Sequence, residues 1–479
     1  MNRTLTAIVA LGLALRLLLL VGAPYPAQDD TRTYLGIAVN VVNGWGYSFD
    51  NDFDGIPEIS SREPGYPTFL AGLYAVSPEH ALQLAGIIQV ALSGLAIVAV
   101  FSIGRALISP AVGLWGAGLY AVWPGLVVET IIPGHEGLLI SAFPLIFWLL
   151  LRAQQTESWR RYAVLGLMIG LAALVKQTVV GVPACLALGL VAAAPRSVPR
   201  WRGAAVMVLG FVLAIAPWIV RSVVINIRAR ALVQQLMPDA NETSTAAYRA
   251  TGLKLHHGVM REIRGGAAAG SPTPAPTPAP APVRIETGQG NGSAPKDQDA
   301  TLLARVTYDF YESDPRRGVP MLSGSGGDVQ ALISRPRALI GRIASNLNTA
   351  GRPVFFVPYE NRYVDFVLPS TLRLSEWRRS GSGGSSAGVL VKLTLVALLA
   401  MMHVFALAGA LRLSMIRKAW PLLIVLLYFY VMPMIHSGPL NRFFFVATPL
   451  ALVFGAVAVE GARQAVRRSL SSHQFARCA

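Results

Sequence analysis

The stretch Thr4–Asp30, TLTAIVALGLALRLLLLVGAPYPAQDD, decides how this chain begins to fold. Its part up to Val21 is almost purely apolar, and about 20 apolar residues in a helix are enough to cross a bilayer. Two prolines follow without a convincing small-residue cleavage site, so we expect a retained membrane anchor rather than a signal peptide. Asp29 and Asp30 come a few residues after this span. An acidic pair held at a membrane surface predicts chemistry at a lipid–water boundary.

The composition extends this pattern to the whole chain. The 479 residues are 53% hydrophobic and only 14% charged, whereas soluble domains carry about 25% charged residues. Several further apolar runs are long enough to span a bilayer, so we predict an all-α polytopic membrane protein. The ten predicted spans are 4–22, 82–104, 111–131, 137–151, 162–175, 178–194, 204–224, 387–411, 419–435 and 443–460.

The net charge of +16 is spread in a way that indicates a membrane topology rather than nucleic-acid binding. With the N-terminus inside, arginines and lysines fill every loop predicted to be cytoplasmic and the tail 463–479, where acidic residues are nearly absent. The first outer loop, 23–81, has the opposite character and is rich in aspartate and glutamate. This asymmetry predicts the orientation, and no nucleic-acid partner is expected.

The chain divides by composition into four predicted regions. Residues 1–225 form an N-terminal transmembrane module that includes the first outer loop, and 226–386 form an extracytoplasmic segment whose stretch 264–300, rich in proline and alanine, is expected to be disordered. Residues 387–462 carry the last spans, and 463–479 form a basic cytoplasmic tail. Within the first outer loop, Tyr66–Val76 is apolar but too short to span, which predicts an interfacial helix.

Polar residues at the ends of spans are costly beside hydrocarbon and are therefore candidates for function. In the predicted topology they gather on the outer side, and we expect them to ring one outward-facing cavity. They are Asp29 and Asp30 after the first span, Arg62, Glu63 and Tyr66 in the first outer loop, Glu129, His135 and Glu136 after the third span, Lys176 and Gln177 after the fifth, Arg221 at the end of the seventh, and His436, Asn441 and Arg442 before the tenth.

These residue types indicate a particular chemistry. A carboxylate can remove a proton from an acceptor hydroxyl, and lysine or arginine can hold a phosphate, arginine with two parallel donors. A cavity that contains both and opens to lipid suits a substrate whose phosphate is carried on a lipid. Ordinary alternatives stay open: Asp29 and Asp30 as solvated loop carboxylates, Glu63 as a local partner of Arg62, and Lys176 as a side chain that snorkels to the interface.

The order of these features resembles the GT-C class of glycosyltransferases that use polyprenyl-phosphate sugars, a class that includes protein O-mannosyltransferases and the lipid A aminoarabinose transferase. The resemblance covers the first seven spans well and the last three more loosely. Its marks are Asp29-Asp30, Gly44-Trp45-Gly46-Tyr47, Arg62-Glu63-Pro64-Gly65-Tyr66-Pro67, Pro217-Trp218 with Arg221, and Arg442 before Pro449.

The resemblance implies an inverting sugar transfer and a role for each matching residue. Asp29, or Asp30, would be the general base on the acceptor hydroxyl, and Glu63 would orient the base or the acceptor. Lys176, Arg221 and Arg442 would stabilise the departing lipid phosphate. Further substrate contacts are expected from Arg62, Tyr66, His135, Glu136 and His436.

The resemblance also bears on cofactors and on the acceptor. Some relatives place a divalent metal near the donor phosphate, and Asp29, His135 and Glu136 could supply ligands, but these spacings give a weak signal and we expect no required metal. Protein O-mannosyltransferases commonly carry Asp-Glu where this chain has Asp29-Asp30, and aminoarabinose transferases carry a lysine near Arg62-Glu63-Pro64. The class of acceptor therefore stays open.

The sequence thus predicts an integral membrane glycosyltransferase in the inner membrane of a prokaryote, with its site facing outward. It would move a sugar from a polyprenyl-phosphate carrier to a hydroxyl of a cell-envelope glycan, a glycolipid or a protein. A transporter or flippase of a lipid-linked sugar is the alternative, although transporters often contain inverted repeats and none is evident here. A non-catalytic scaffold, docking partners through its long outer segment, is the third interpretation.

Overall fold

The computed structural model describes residues 3–22, 29–44, 46–49, 58–59, 62–236, 401–435 and 445–478. The described chain is almost entirely helical, as the all-α prediction requires. Its helices are α1 (Arg3–Gly22), α2 (Asp29–Val42), α3 (Gly65–Val76), α4 (Ala81–Leu107), α5 (Pro110–Val122), α6 (Pro124–Ile131), α7 (His135–Thr156), α8 (Trp159–Val175), α9 (Val182–Ala193), α10 (Val198–Leu236), α11 (Met401–Ser414), α12 (Trp420–Ile435) and α13 (Thr448–Cys478).

Five of these helices are long and apolar enough to cross a membrane, in the segments Arg3–Gly22, Pro78–Leu107, His135–Thr156, Val198–Val224 and Thr448–Arg468. The count becomes six if α5 and α6 together form one span. Other predicted spans fall on helices of 12 to 17 residues, such as α8, α9 and α12. The membrane character is therefore evident within the described residues, whereas the total of ten spans stays a prediction.

The third predicted span, 111–131, is bent. It consists of α5 and α6, which meet at 55° across Trp123. The bend has a local cause, because Trp123 has an extended backbone with ψ near 117° and the following Pro124 cannot donate a helical hydrogen bond. The start of α5 is equally well defined: Ser109 accepts a hydrogen bond from the Val112 amide and Pro110 occupies the first helical position.

The first of two compact units comprises Met1–Tyr25, Ala85–Ile215 and Arg337–Ala479. In it α1 packs on α5 and α6, α7 packs on α8, α9 packs on α12, and α13 packs on α5. Small residues allow the close approaches: Gly166 of α8 lies against the backbone of Met207, and Gly409 of α11 lies against the backbone of Phe454. Such contacts are how apolar helices gain packing energy where a hydrophobic driving force is weak.

The second unit comprises Pro26–Leu84 and Ala216–Pro336. Here α2 packs along α3, with Tyr34 set edge-on against the fully buried Tyr66 at 5.5 Å between ring centroids. A two-stranded antiparallel sheet pairs β1 (Ser48–Phe49) with β2 (Glu58–Ile59), a feature that the all-α prediction did not contain. The chain turns into β1 through Gly44 and Gly46, whose φ angles of 76° and 72° favour glycine.

The helix predicted from Tyr66–Val76 is present as α3, Gly65–Val76, and α2 is a second helix in the first outer loop. The interfacial location of both stays a prediction. The predictions for the extracytoplasmic segment and for its stretch 264–300 lie outside the described residues.

Candidate functional site

Three charged or titratable side chains meet inside the first unit. Lys176 directly follows the last residue of α8, and His135 and Glu136 begin α7, so two neighbouring helix ends bring them together. The Lys176 Nζ donates to Glu136 Oε1 at 2.6 Å and lies 2.7 Å from His135 Nε2. All three side chains are less than 10% exposed. The structure therefore brings these three predicted site residues together in one buried cluster.

The short distances in this cluster favour one arrangement of protons. His135 Nε2 also lies 2.8 Å from Glu136 Oε1. An ammonium has three donors and no acceptor, so a charged Lys176 is satisfied when Nε2 is the acceptor of a neutral imidazole. A proton on Nε2 would instead donate to Glu136 and oppose the ammonium. In the first arrangement the Lys176 ammonium donates hydrogen bonds to both His135 and Glu136, and the Glu136 carboxylate neutralises its charge.

The second unit contains a different cationic site. The Arg221 guanidinium lies over the ring of Trp218, 4.4 Å from its centroid, and over the ring of Tyr47 at 5.2 Å. The two rings contact each other edge to face at 5.0 Å. Arg221 makes no hydrogen bond or ion pair with any residue that the structure describes. Its charge is therefore held by aromatic faces, which orient the guanidinium without neutralising it.

Tyr47 connects this cation to the predicted acidic loop. Its hydroxyl lies 3.1 Å from the carbonyl oxygen of Arg62 and 2.9 Å from that of Glu63, and donates its single proton to this pair. Burial raises the pKa of the Tyr47 phenol, the Glu63 carboxylate raises it further, and Arg221 and Arg62 lower it. The phenol therefore stays a neutral donor at physiological pH. Tyr47 thus contacts both the loop that carries Glu63, through its hydroxyl, and the Arg221 guanidinium, through its ring.

The remaining predicted site residues have separate outcomes. Asp29 and Asp30 are the first two residues of α2, but their side chains lie outside the described part. Tyr66 is fully buried against Tyr34 and Phe69, so its ring is part of the packing of α2 and α3. His436 and Arg442 lie outside the described residues. The single cavity ringed by all of these residues stays a prediction.

The described part of the chain contains no group of three His, Cys, Asp or Glu side chains that could hold a metal ion. The proposed ligand set included Asp29, whose side chain is not described. The prediction that no metal is required therefore stays a prediction.

Sequence reasoning missed the role of Tyr47 and Trp218. Both belong to motifs that were recognised, Gly44-Trp45-Gly46-Tyr47 and Pro217-Trp218, but only the charged Arg221 was predicted to act. The available signal was the aromatic character itself, since arginine stacks readily on tryptophan and tyrosine.

Comparison with known proteins gives one family match. Residues 61–220, a third of the chain, match the family described as dolichyl-phosphate-mannose-protein mannosyltransferase. The matched segment contains Arg62, Glu63, His135, Glu136 and Lys176, and it ends one residue before Arg221. Asp29 and Asp30 lie outside it. A search of curated proteins found no match.

Solved structures of an archaeal enzyme also align with the chain. The oligosaccharyltransferase of Archaeoglobus fulgidus, in its complex with zinc and sulfate, aligns over 99% of this chain and 51% of its own, with 14% identity and a TM-score of 0.47. The oligosaccharyltransferase AglB from the same organism, in complex with an inhibitory peptide and a dolichol-phosphate, aligns over 98% and 51%, with 16% identity and a TM-score of 0.44. The chain thus spans about half the length of these proteins.

With TM-scores under 0.5, these alignments carry no conclusion about this chain. The family match is different in kind, since it contains the buried cluster, the motif Arg62–Pro67 and the pair Pro217-Trp218. Over residues 61–220, the resemblance of this membrane protein to the GT-C class of glycosyltransferases is confirmed.

Proposed function

We propose that this protein is an integral membrane glycosyltransferase that moves a sugar from a polyprenyl-phosphate carrier to a hydroxyl acceptor, with inversion at the anomeric carbon. One observation carries the proposal: the buried Lys176–Glu136–His135 cluster lies at the ends of two apolar helices, inside the segment that matches a family of glycosyltransferases. An ionisable cluster in such a place is costly and therefore indicates function.

The donor phosphate is the group for which the cations are best suited. We assign its binding to Arg221, Lys176 and, outside the described residues, Arg442. The departing phosphate gains negative charge as its bond to the sugar breaks, and preorganised cations lower the energy of that state. Arg221 has the stronger claim, because its guanidinium has no carboxylate partner among the described residues and can offer two parallel donors.

The transfer forms one bond to the anomeric carbon and breaks another. The acceptor hydroxyl oxygen bonds to the anomeric carbon, the bond from that carbon to the phosphate oxygen breaks, and the electron pair leaves with the lipid phosphate. Asp29 or Asp30 takes the hydroxyl proton as general base. Glu63 orients the base or the acceptor, and its loop is tied to Tyr47 through two backbone carbonyls.

The other substrate contacts are assigned to Arg62, His135, Glu136 and His436. For Tyr66 the burial against Tyr34 favours a packing role over direct contact in this state of the protein. The acceptor is a cell-envelope glycan, a glycolipid or a protein, and the site faces the extracytoplasmic side of a prokaryotic inner membrane. No metal is required in this proposal.

A transporter or flippase for the lipid-linked sugar is the second candidate, and the bent pair α5–α6 is the observation that favours it. Helices broken at membrane depth are typical of transporters, and this pair bends by 55°. The two candidates differ in outcome, because a transporter moves the lipid-linked sugar intact while a transferase cleaves it.

The test uses the purified full chain in lipid nanodiscs with a panel of radiolabelled polyprenyl-phosphate sugars. We expect wild type to release polyprenyl phosphate from one donor and Asp29→Asn or Asp30→Asn to be at least ~100-fold slower, the usual scale for loss of a general base. The matched control is Glu79→Gln, an exposed carboxylate in the same unit.

Two results would contradict the transferase. One is that wild type cleaves no donor, and the other is that both aspartate variants turn over as fast as Glu79→Gln. Movement of an intact donor across liposomes would then support the transporter.

A further inference from the structure

The break between α5 and α6 leaves backbone carbonyls that need donors. Pro124 has no N–H, so the carbonyl of Tyr120 lacks its helical partner four residues on. The carbonyl of Ala121 is released by the same break at Trp123. An unsatisfied carbonyl in hydrocarbon is energetically costly, so a broken helix is stable there only where other groups replace the missing donors.

Arg16 supplies those donors from α1. It is fully buried, and its guanidinium donates to the carbonyls of Ala121 at 2.9 Å, Tyr120 at 3.3 Å and Gly12 at 3.0 Å. The Nε atom lies 3.4 Å from Thr130 Oγ1, near the far end of α6. All four acceptors are neutral oxygens. Only the forked guanidinium presents enough donors in one plane to reach them together.

Gln89 holds the C-terminal end of α6 from α4. This fully buried amide donates through Nε2 to the carbonyls of Thr130 at 2.9 Å and Ile132 at 2.8 Å. The fit around it is close, because a Cβ on Gly137 would lie 2.5 Å from Gln89 Nε2 and 2.5 Å from the Glu129 carbonyl. Arg16 therefore joins the end of α5 to Thr130, near the C-terminal end of α6, and Gln89 holds that same end of α6 from α4.

The chain runs from the end of this clamped helix to His135 and Glu136 in a few residues. We propose that Arg16 and Gln89 are positioning residues that set the geometry of the Lys176–Glu136–His135 cluster by holding α6. We call the contacts of Arg16 and Gln89 with the α5–α6 pair the clamp. The clamp is argued from geometry alone, and its consequence for substrate binding rests on the proposed function. Neither residue is expected to touch the reacting atoms.

The experiment measures hydrogen–deuterium exchange of the full chain in nanodiscs for Arg16→Gln, Arg16→Lys and Gln89→Leu. We expect amides of residues 125–136 to exchange about tenfold faster or more in Arg16→Gln and Gln89→Leu, because carbonyls lose their donors. Arg16→Lys keeps the charge but loses the forked donors, so the amide exchange of residues 125–136 should still be faster than in wild type. The control is Ser93→Ala, which removes a buried hydroxyl on α4 that donates to the Val90 carbonyl of its own helix.

A double-mutant cycle links the clamp to the cluster without needing turnover. If Gln89 positions the cluster, Lys176→Met should lower the unfolding temperature less in the Gln89→Leu background than in wild type. Binding of sugar-free polyprenyl phosphate should also weaken about tenfold in both clamp variants.

The outcomes separate the two claims. If the amides of residues 125–136 exchange at the wild-type rate, or if exchange becomes faster uniformly along the chain, the clamp is overturned. Local loosening with additive effects in the cycle overturns positioning of the cluster. Failure of wild type to bind polyprenyl phosphate contradicts the proposed function, and the exchange data together with the cycle then decide the clamp independently.

Discussion

Two cations that were predicted to share one role lie in opposite electrostatic settings. Lys176, in the first unit, is buried beside a carboxylate and an imidazole. Arg221, in the second unit, is half-buried over two aromatic rings and has no carboxylate partner among the described residues. The comparison teaches that residue type and position near a span end do not determine available charge. Lys176 is already neutralised, whereas no described carboxylate neutralises Arg221.

The largest effect is expected where the neutralised pair is broken. Glu136→Gln leaves the Lys176 ammonium buried without its counter-charge, which costs about 3–5 kcal/mol for a buried pair. Thermal unfolding of the purified protein in detergent should therefore shift strongly downward. The double variant Glu136→Leu with Lys176→Met should recover most of the loss, since an apolar pair requires no charge compensation.

The control for this prediction is Glu157→Gln at the other end of α7. Glu157 is 43% exposed and lies 3.8 Å from Arg200, so its loss should cost at most about 1 kcal/mol. Equal shifts for Glu136→Gln and Glu157→Gln would show that the buried pair contributes no more than a surface pair.

An intermediate effect is expected at the unneutralised cation. Arg221→Gln removes a charged donor, and hydrogen bonds to charged groups contribute about 1.5–3 kcal/mol, so KM for the lipid-phosphate donor should rise about 10- to 100-fold. Arg221→Lys should lie between wild type and Arg221→Gln, because it keeps the charge but loses the fork. Initial rates against donor concentration measure both. Arg105→Gln, an exposed arginine of the first unit, is the control.

Removal of the aromatic face sharpens the same comparison. Trp218→Leu leaves Arg221 charged but without its closest ring, at a cost of about 0.5–2 kcal/mol for the cation–π contact. The expected rise in donor KM is smaller than for Arg221→Gln. A rise as large as that of Arg221→Gln would mean that Trp218 contacts the substrate itself.

The smallest effect is expected at Tyr47. Tyr47→Phe keeps the ring beneath Arg221 but removes the hydroxyl that donates to the carbonyls of Arg62 and Glu63, a loss of about 0.5–1.5 kcal/mol in unfolding free energy. Because the pKa of the phenol is raised in the folded protein, the group stays protonated below its unfolded pKa of about 10. The difference between Tyr47→Phe and wild type should therefore be constant from pH 6 to pH 9. A difference that changes across this range would contradict a neutral donor.

Much of the architecture could be predicted from local pattern. Apolar runs of span length predicted helices that are present, and Tyr66–Val76 predicted α3 within one residue. The bend at Trp123 was not predicted, because hydropathy averages over the whole window and hides a single proline. Arg16 was missed for the same reason: one charge inside an apolar run of 20 residues barely changes the mean, although its burial requires partners.

For the candidate site, polarity at span ends predicted candidate residues but not how they pair. The sequence by itself determined a helical membrane protein, the positions of His135, Glu136 and Lys176 at helix ends, and the resemblance to a glycosyltransferase class, because these depend on local composition and spacing. Only the tertiary structure decided that Glu136 neutralises Lys176, that Tyr47 and Trp218 hold Arg221, and that Arg16 and Gln89 hold α6. Apart from Trp218, which is three residues from Arg221, these contacts join residues from 40 to more than 170 positions apart. A distance between side chains is set by packing, which no local pattern contains.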